Sequence, residues 1–151
     1  MMSIARRVFL FAATTMLLSH GATAQSPARV QRVALKGYDP VAYFTEGKPV
    51  QGSAAHSVVW DEARWHFASA KNLELFRVAP DRYTPQFGGS CAMRMSGGEK
   101  VEADPKNWLI QDGKLFVFAT PSGPSRFLAD NSRRDQAAEN WKILQSKPTR
   151  R

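Results

Sequence analysis

Apolar positions recur along this chain at two periods, and the switches between them mark the elements. Two alternating runs, His56-Ser57-Val58-Val59-Trp60 and Arg64-Trp65-His66-Phe67, flank the polar step Asp61-Glu62-Ala63 and predict an antiparallel hairpin. A period of two puts Trp65 and Phe67 on one face and Arg64 and His66 on the other. A second hairpin is predicted where Trp108-Leu109-Ile110 and Lys114-Leu115-Phe116-Val117-Phe118 flank Asp112-Gly113, the strongest turn signal in the chain. A helical period appears over residues 69–78, with Ser69 as N-cap, Leu73 and Phe76 on one side and Ala79-Pro80 as the stop. It returns over residues 133–145, where Ala137, Asn140, Trp141 and Leu144 share a face and Trp141 is the expected packing residue. Asp39 reads as an N-cap with Pro40 at the first helical position of a single turn that sends Tyr43 and Phe44 inward. Further short turns are expected at residues 81–83 and 125–128. Residues 45–52 and 99–107 read as loops, and neither an internal repeat nor a low-complexity segment stands out. The expectation is a small single α+β domain of antiparallel hairpins packed with short helices.

The amino-terminal pattern is of another kind. Arg6-Arg7, an apolar run over residues 8–18 and small residues at Ala22-Thr23-Ala24 read as a secretory leader ending at residue 24. The run is shorter than the ~20 residues a membrane span needs, so no stable membrane insertion is expected after cleavage. Arg6-Arg7-Val8-Phe9-Leu10 also resembles the twin-arginine export signal, although Ala5 and Phe11 depart from that pattern; either route gives a periplasmic or secreted protein. Residues 25–34 come next as a flexible arm with order beginning near Val33-Ala34-Leu35, then the domain over residues 35–145 and a basic tail over 146–151.

Charge and cysteine content narrow the function classes. Removing Arg6 and Arg7 from the 21 basic residues leaves 19 against 13 acidic ones, a net of +6. The excess is scattered apart from Lys147, Arg150 and Arg151, which argues against nucleic acid. With one cysteine, no internal disulfide can form, an unusual condition for an oxidising compartment. Cys91 is therefore either a buried filler, a link to another chain, or a thiol in use.

The stretch Gly88-Gly89-Ser90-Cys91-Ala92-Met93-Arg94-Met95-Ser96-Gly97-Gly98 holds that cysteine and two of the five methionines. Read as a strand, it would align the Cys91, Met93 and Met95 side chains on one face. A thiolate with two thioethers suits Cu(I), with His66 as a fourth partner if the hairpin packs against the strand. The same three residues would equally serve as the inner face of a core strand.

Several segments together resemble the YHS-domain proteins, specifically the stand-alone exported members. They are Gly37-Tyr38-Asp39-Pro40-Val41-Ala42-Tyr43-Phe44, Phe67-Ala68-Ser69-Ala70 with Asn72-Leu73 and Phe76, Pro80-Asp81-Arg82-Tyr83-Thr84-Pro85-Gln86-Phe87-Gly88-Gly89-Ser90-Cys91-Ala92, Asp104-Pro105 with Trp108, residues 112–116, and Asn140-Trp141. The resemblance implies a small α+β domain related to metal-binding modules of heavy-metal pumps and multicomponent monooxygenases. In those metal-associated relatives a thiol pair occupies the strand-to-helix join, where this chain has Ala68 and Asn72, so that site does not carry over. Any metal site must then rest on Cys91 and its neighbours.

Three classes of function remain: a copper or soft heavy-metal accessory protein using Cys91, Met93, Met95 and His66; a metal-free module binding a ligand or another exported protein; and a thiol enzyme. The last would need His56 or His66 as base and has no nucleophile motif to support it, so no catalytic residue is assigned.

Overall fold

The computed structural model describes residues 31–146; the expected leader, residues 25–30 of the expected arm and residues 147–151 of the expected tail lie outside them. The strands are Arg32–Val33 (β1), Ser53–Trp60 (β2), Ala63–Phe67 (β3), Asp104–Gln111 (β4) and Lys114–Phe118 (β5). The helices are Ala42–Thr45 (α1), Ala70–Val78 (α2), Pro80–Tyr83 (α3), Ala92–Ser96 (α4), Gly123–Leu128 (α5) and Ser132–Ser146 (α6). A three-stranded sheet has the order β1-β3-β2, with β1 parallel and β2 antiparallel to β3, and β4-β5 form a separate antiparallel pair. The α+β expectation holds. Part of the expected arm is ordered, because Arg32 and Val33 extend the first sheet.

Local chemistry explains most of these elements. Trp65 and Phe67 are 2% and 0% exposed while His66 between them is half-buried, as strand alternation requires. The Ser69 hydroxyl accepts the Asn72 N–H at 3.2 Å and starts α2, whose Leu73 and Phe76 point inward. Asp39 Oδ1 accepts the N–H groups of Val41 and Ala42 at 2.8 and 3.4 Å, so α1 is capped as expected and Tyr43 is 1% exposed.

The two hairpins repeat one structure. A shift of 51 positions carries Ser53↔Phe67 onto Asp104↔Phe118, Ser57↔His66 onto Trp108↔Val117 and Trp60↔Ala63 onto Gln111↔Lys114. Each long strand loops out the same three residues, Ala54-Ala55-His56 and Pro105-Lys106-Asn107, between the first two of these pairs. Upstream, Leu35-Lys36-Gly37 (φ 47°, 50°, 84°) and Phe87-Gly88-Gly89 (φ 59°, 59°, 78°) make matching left-handed turns. After each turn a buried residue donates its N–H across the unit, Asp39 to Val50 O at 2.9 Å and Cys91 to Val101 O at 2.8 Å. Downstream, the packed rings Trp65, Phe67 and Phe76 correspond to Phe116, Phe118 and Phe127. This corrects the expectation that the chain holds no internal repeat. The units share backbone path and burial, but few identities, such as Asp61/Asp112, Phe67/Phe118 and Ala68/Ala119.

A second correction concerns the sulfur-bearing stretch. Instead of a strand, Gln86–Gly89 form the left-handed turn and Ala92–Ser96 form helix α4, with Met95 N–H donating to Cys91 O at 2.9 Å. Ala, Met and Arg are strong helix formers and none is β-branched, so local propensity opposes the strand. A single core joins both units through Leu35, Tyr43, Phe87, Met95 and the two aromatic triads. Among the described residues no helix is long and apolar enough to cross a membrane.

Candidate functional site

The helix separates the sulfurs that a strand would have aligned. Cys91 and Met95 lie one turn apart in the core, 2% and 0% exposed. Met93, two residues before Met95, leaves the helix on the other side and meets α6, where Arg133 Nη1 lies 3.8 Å from its sulfur. His66 belongs to the first sheet, and its Nδ1 packs within 3.3 Å of where a side chain on Gly37 would begin. Among the described residues no group of three or more His, Cys, Asp and Glu side chains is arranged to hold a metal ion.

The strand-to-helix join is occupied by a closed polar knot that sequence reasoning missed. Asp39 is 0% exposed. Besides capping α1, its Oδ2 accepts the Ala68 N–H at 2.8 Å and the Asn72 Nδ2 amide at 2.7 Å. Four donors thus converge on one buried carboxylate, and every buried side-chain nitrogen and oxygen among the described residues has a partner. The second unit lacks this knot. Cys91 stands at the place of Asp39 and Gly123 at that of Asn72, where any side chain would begin 2.5 Å from Phe118 Cβ.

Tyr43 ties the units together, donating its hydroxyl to Pro105 O at 2.8 Å while its ring meets Trp108 edge-on at 5.3 Å. Burial, reinforced by Tyr38, Asp104 and Asp39, pushes its phenol well above the usual tyrosine value. A group whose pKa is raised by folding stabilises fully below its unfolded value and loses that contribution as pH rises toward the folded one. Stability is therefore expected to fall above about pH 10. Tyr43→Phe should flatten this alkaline limb and cost about 1 kcal/mol at neutral pH for the lost hydrogen bond. Urea midpoints from pH 7 to 11 test both effects, and an unchanged limb would assign it to another group.

The open site lies where the left-handed turn at Gly88 meets α6. A cleft of about 530 Å³ is walled by Arg32, Asp61, Glu62, Lys100, Trp141 and Leu144. A shallower depression of about 380 Å³ adjoins it and shares Asp61, Gly88, Trp141 and Gln145. Gly88 explains where Trp141 stands: its φ is +59°, and a Cβ there would sit 3.3 Å from the indole Cη2, so the ring lies directly on bare backbone. Lys100 Nζ lies 5.3 Å from the ring centroid, and Phe87 meets the indole edge-on at 6.3 Å. Arg32 is steadied by a 3.3 Å hydrogen bond from Nη2 to Gly88 O. The expected packing residue of α6 is in fact half-buried at this cleft, while Ala137 is the fully buried one.

Compared with protein-family models, curated proteins and solved structures, the chain matches none of them.

Proposed function

We propose that this chain is a small binding module of the export compartment, with a charged small-molecule ligand seated in the Gly88–Trp141 cleft. The observation that supports it is the cleft itself, an aromatic floor between two cationic and two anionic side chains. Its volume lies within the range of small-molecule sites. The resemblance to stand-alone YHS-domain proteins is compatible with such a role, and the leader pattern supplies the compartment. The polar knot fills the join where metal-associated relatives carry thiols, so Asp39, Ala68 and Asn72 serve the fold.

The soft-metal reading keeps one support, Cys91 and Met95 a helical turn apart. Both are sealed in the core and Met93 turns away from them. We expect no stoichiometric Cu(I) uptake in competition with a chromogenic chelator under reducing conditions. One equivalent bound by the wild type and lost in Cys91→Ser would reinstate the metal site. The binding reading is tested by titrating the ¹⁵N-labelled mature protein with a panel of zwitterionic, anionic and cationic small molecules. Shifts gathered at Asp61, Gly88 and the Trp141 indole are expected, and shifts elsewhere only, or none, would overturn it.

A further inference from the structure

The β2–β3 turn spends strain at this cleft. Asp61 and Glu62 both have positive φ, 46° and 60°, the pattern of a two-residue turn that favours Asn-Gly or Asp-Gly. The second unit makes the relaxed choice at the same turn, with Asp112 at 52° followed by Gly113 at 72°. The position of Gly113 is held in the first unit by Glu62, a residue that bears left-handed backbone at a cost. What distinguishes the first turn is its place, for Asp61 and Glu62 wall the cleft.

The rim of the site carries both signs of charge. Asp61 and Glu62 arrive together from the turn, and Arg32 and Lys100 come from β1 and from the loop after α4. None of the four is in an ion pair within 4.0 Å among the described residues, although ion pairs of that kind occur at seven other places. Two anions and two cations around an indole, none of the four held in an ion pair among the described residues, complement a ligand that itself carries both charges. Leu144 and Trp141 add an apolar surface to the same cleft.

Resting on the binding reading above, we propose that the ligand is a zwitterionic short peptide or amino acid. Its α-ammonium faces Asp61 and Glu62, its carboxylate faces Arg32 and Lys100, and an apolar side chain lies on Trp141. The adjoining depression, reached past Trp141 and Gln145, gives room for a residue beyond the first. Glu62 is kept at a strained position because it supplies half of the ammonium recognition.

Calorimetric titration of the mature protein with L-leucyl-L-leucine, its N-acetyl form and its C-terminal amide tests this. The free dipeptide should bind, and blocking either end should weaken it by about tenfold or more, as for loss of a charge-assisted contact. Asp61→Asn should weaken the free dipeptide and leave the N-acetyl form unchanged, and Arg32→Gln should do the same for the amide. Glu62→Gly should raise the melting temperature by about 3 °C while lowering dipeptide affinity, an opposition that a merely structural turn residue would not give. Equal binding of free and blocked dipeptides, or unaltered affinity in Glu62→Gly, overturns the assignment. If no dipeptide binds while another charged probe shifts the cleft resonances, the ligand class fails and the binding reading stands; silence of the cleft toward every probe removes both.

Discussion

Asp39→Ala is expected to lower the unfolding free energy by about 3–4 kcal/mol, a large share of the roughly 5–15 kcal/mol that holds a domain of this size. The loss has a specific origin. Four N–H donors, from Val41, Ala42, Ala68 and the Asn72 amide, would lose their acceptor, all but that of Ala68 in buried surroundings. Each unmade buried hydrogen bond costs about 1–3 kcal/mol, and partial relaxation of the exposed Ala68 edge keeps the total below the simple sum. Asp39→Asn keeps the volume but turns an amide N–H₂ toward donors, so it should cost nearly as much. Urea unfolding reads both variants as lower midpoints at unchanged slope. A change of less than about 1 kcal/mol in Asp39→Asn would show that the knot is not what joins α1 to the β3–α2 corner.

The second large effect comes in a matched pair. Phe67→Ala and Phe118→Ala are each expected to cost about 3–5 kcal/mol, the range for an aromatic residue removed from a closed core. Both rings are 0% exposed and each packs on the helix that comes after its hairpin, Phe67 on Phe76 at 5.1 Å and Phe118 on Phe127 at 5.5 Å. Equivalent positions in the repeated units should respond alike. A severe loss at one and a loss near zero at the other would mean that the units share a backbone path without sharing energetics.

Much of this architecture is legible in residues whose chemistry is local. The Asp112-Gly113 turn, the Ser69 cap, the Asp39-Pro40 start and the alternation of Trp65 and Phe67 each carry their instruction within a few positions. The stretch around Cys91 misleads, because its sulfur content suggests ligands while its propensity decides the backbone. Residues 92–96 are better helix formers than strand formers, and the glycines before them serve a left-handed turn and the close seating of Trp141. The repeat stays hidden because its units conserve register and burial while exchanging Trp65 for Phe116, Asp39 for Cys91 and Asn72 for Gly123. Of the expected site, Cys91 and Met95 are both buried in the core and Met93 is directed to Arg133. The cleft assembles β1, the β2–β3 turn, the Gly88 turn and α6, which no single window of sequence brings together.

The claim that the working surface is the cleft, with the sulfurs serving the core, meets its most direct test in one pair of spectra. The ¹⁵N–¹H resonances of the Trp141 indole and the Cys91 amide are monitored while the protein is titrated first with L-leucyl-L-leucine and then, in a fresh sample, with Cu(I). The account predicts a saturating shift of the Trp141 indole in the first titration and a stationary Cys91 amide in the second. A still indole with a Cys91 amide that saturates at one equivalent of Cu(I) would contradict it.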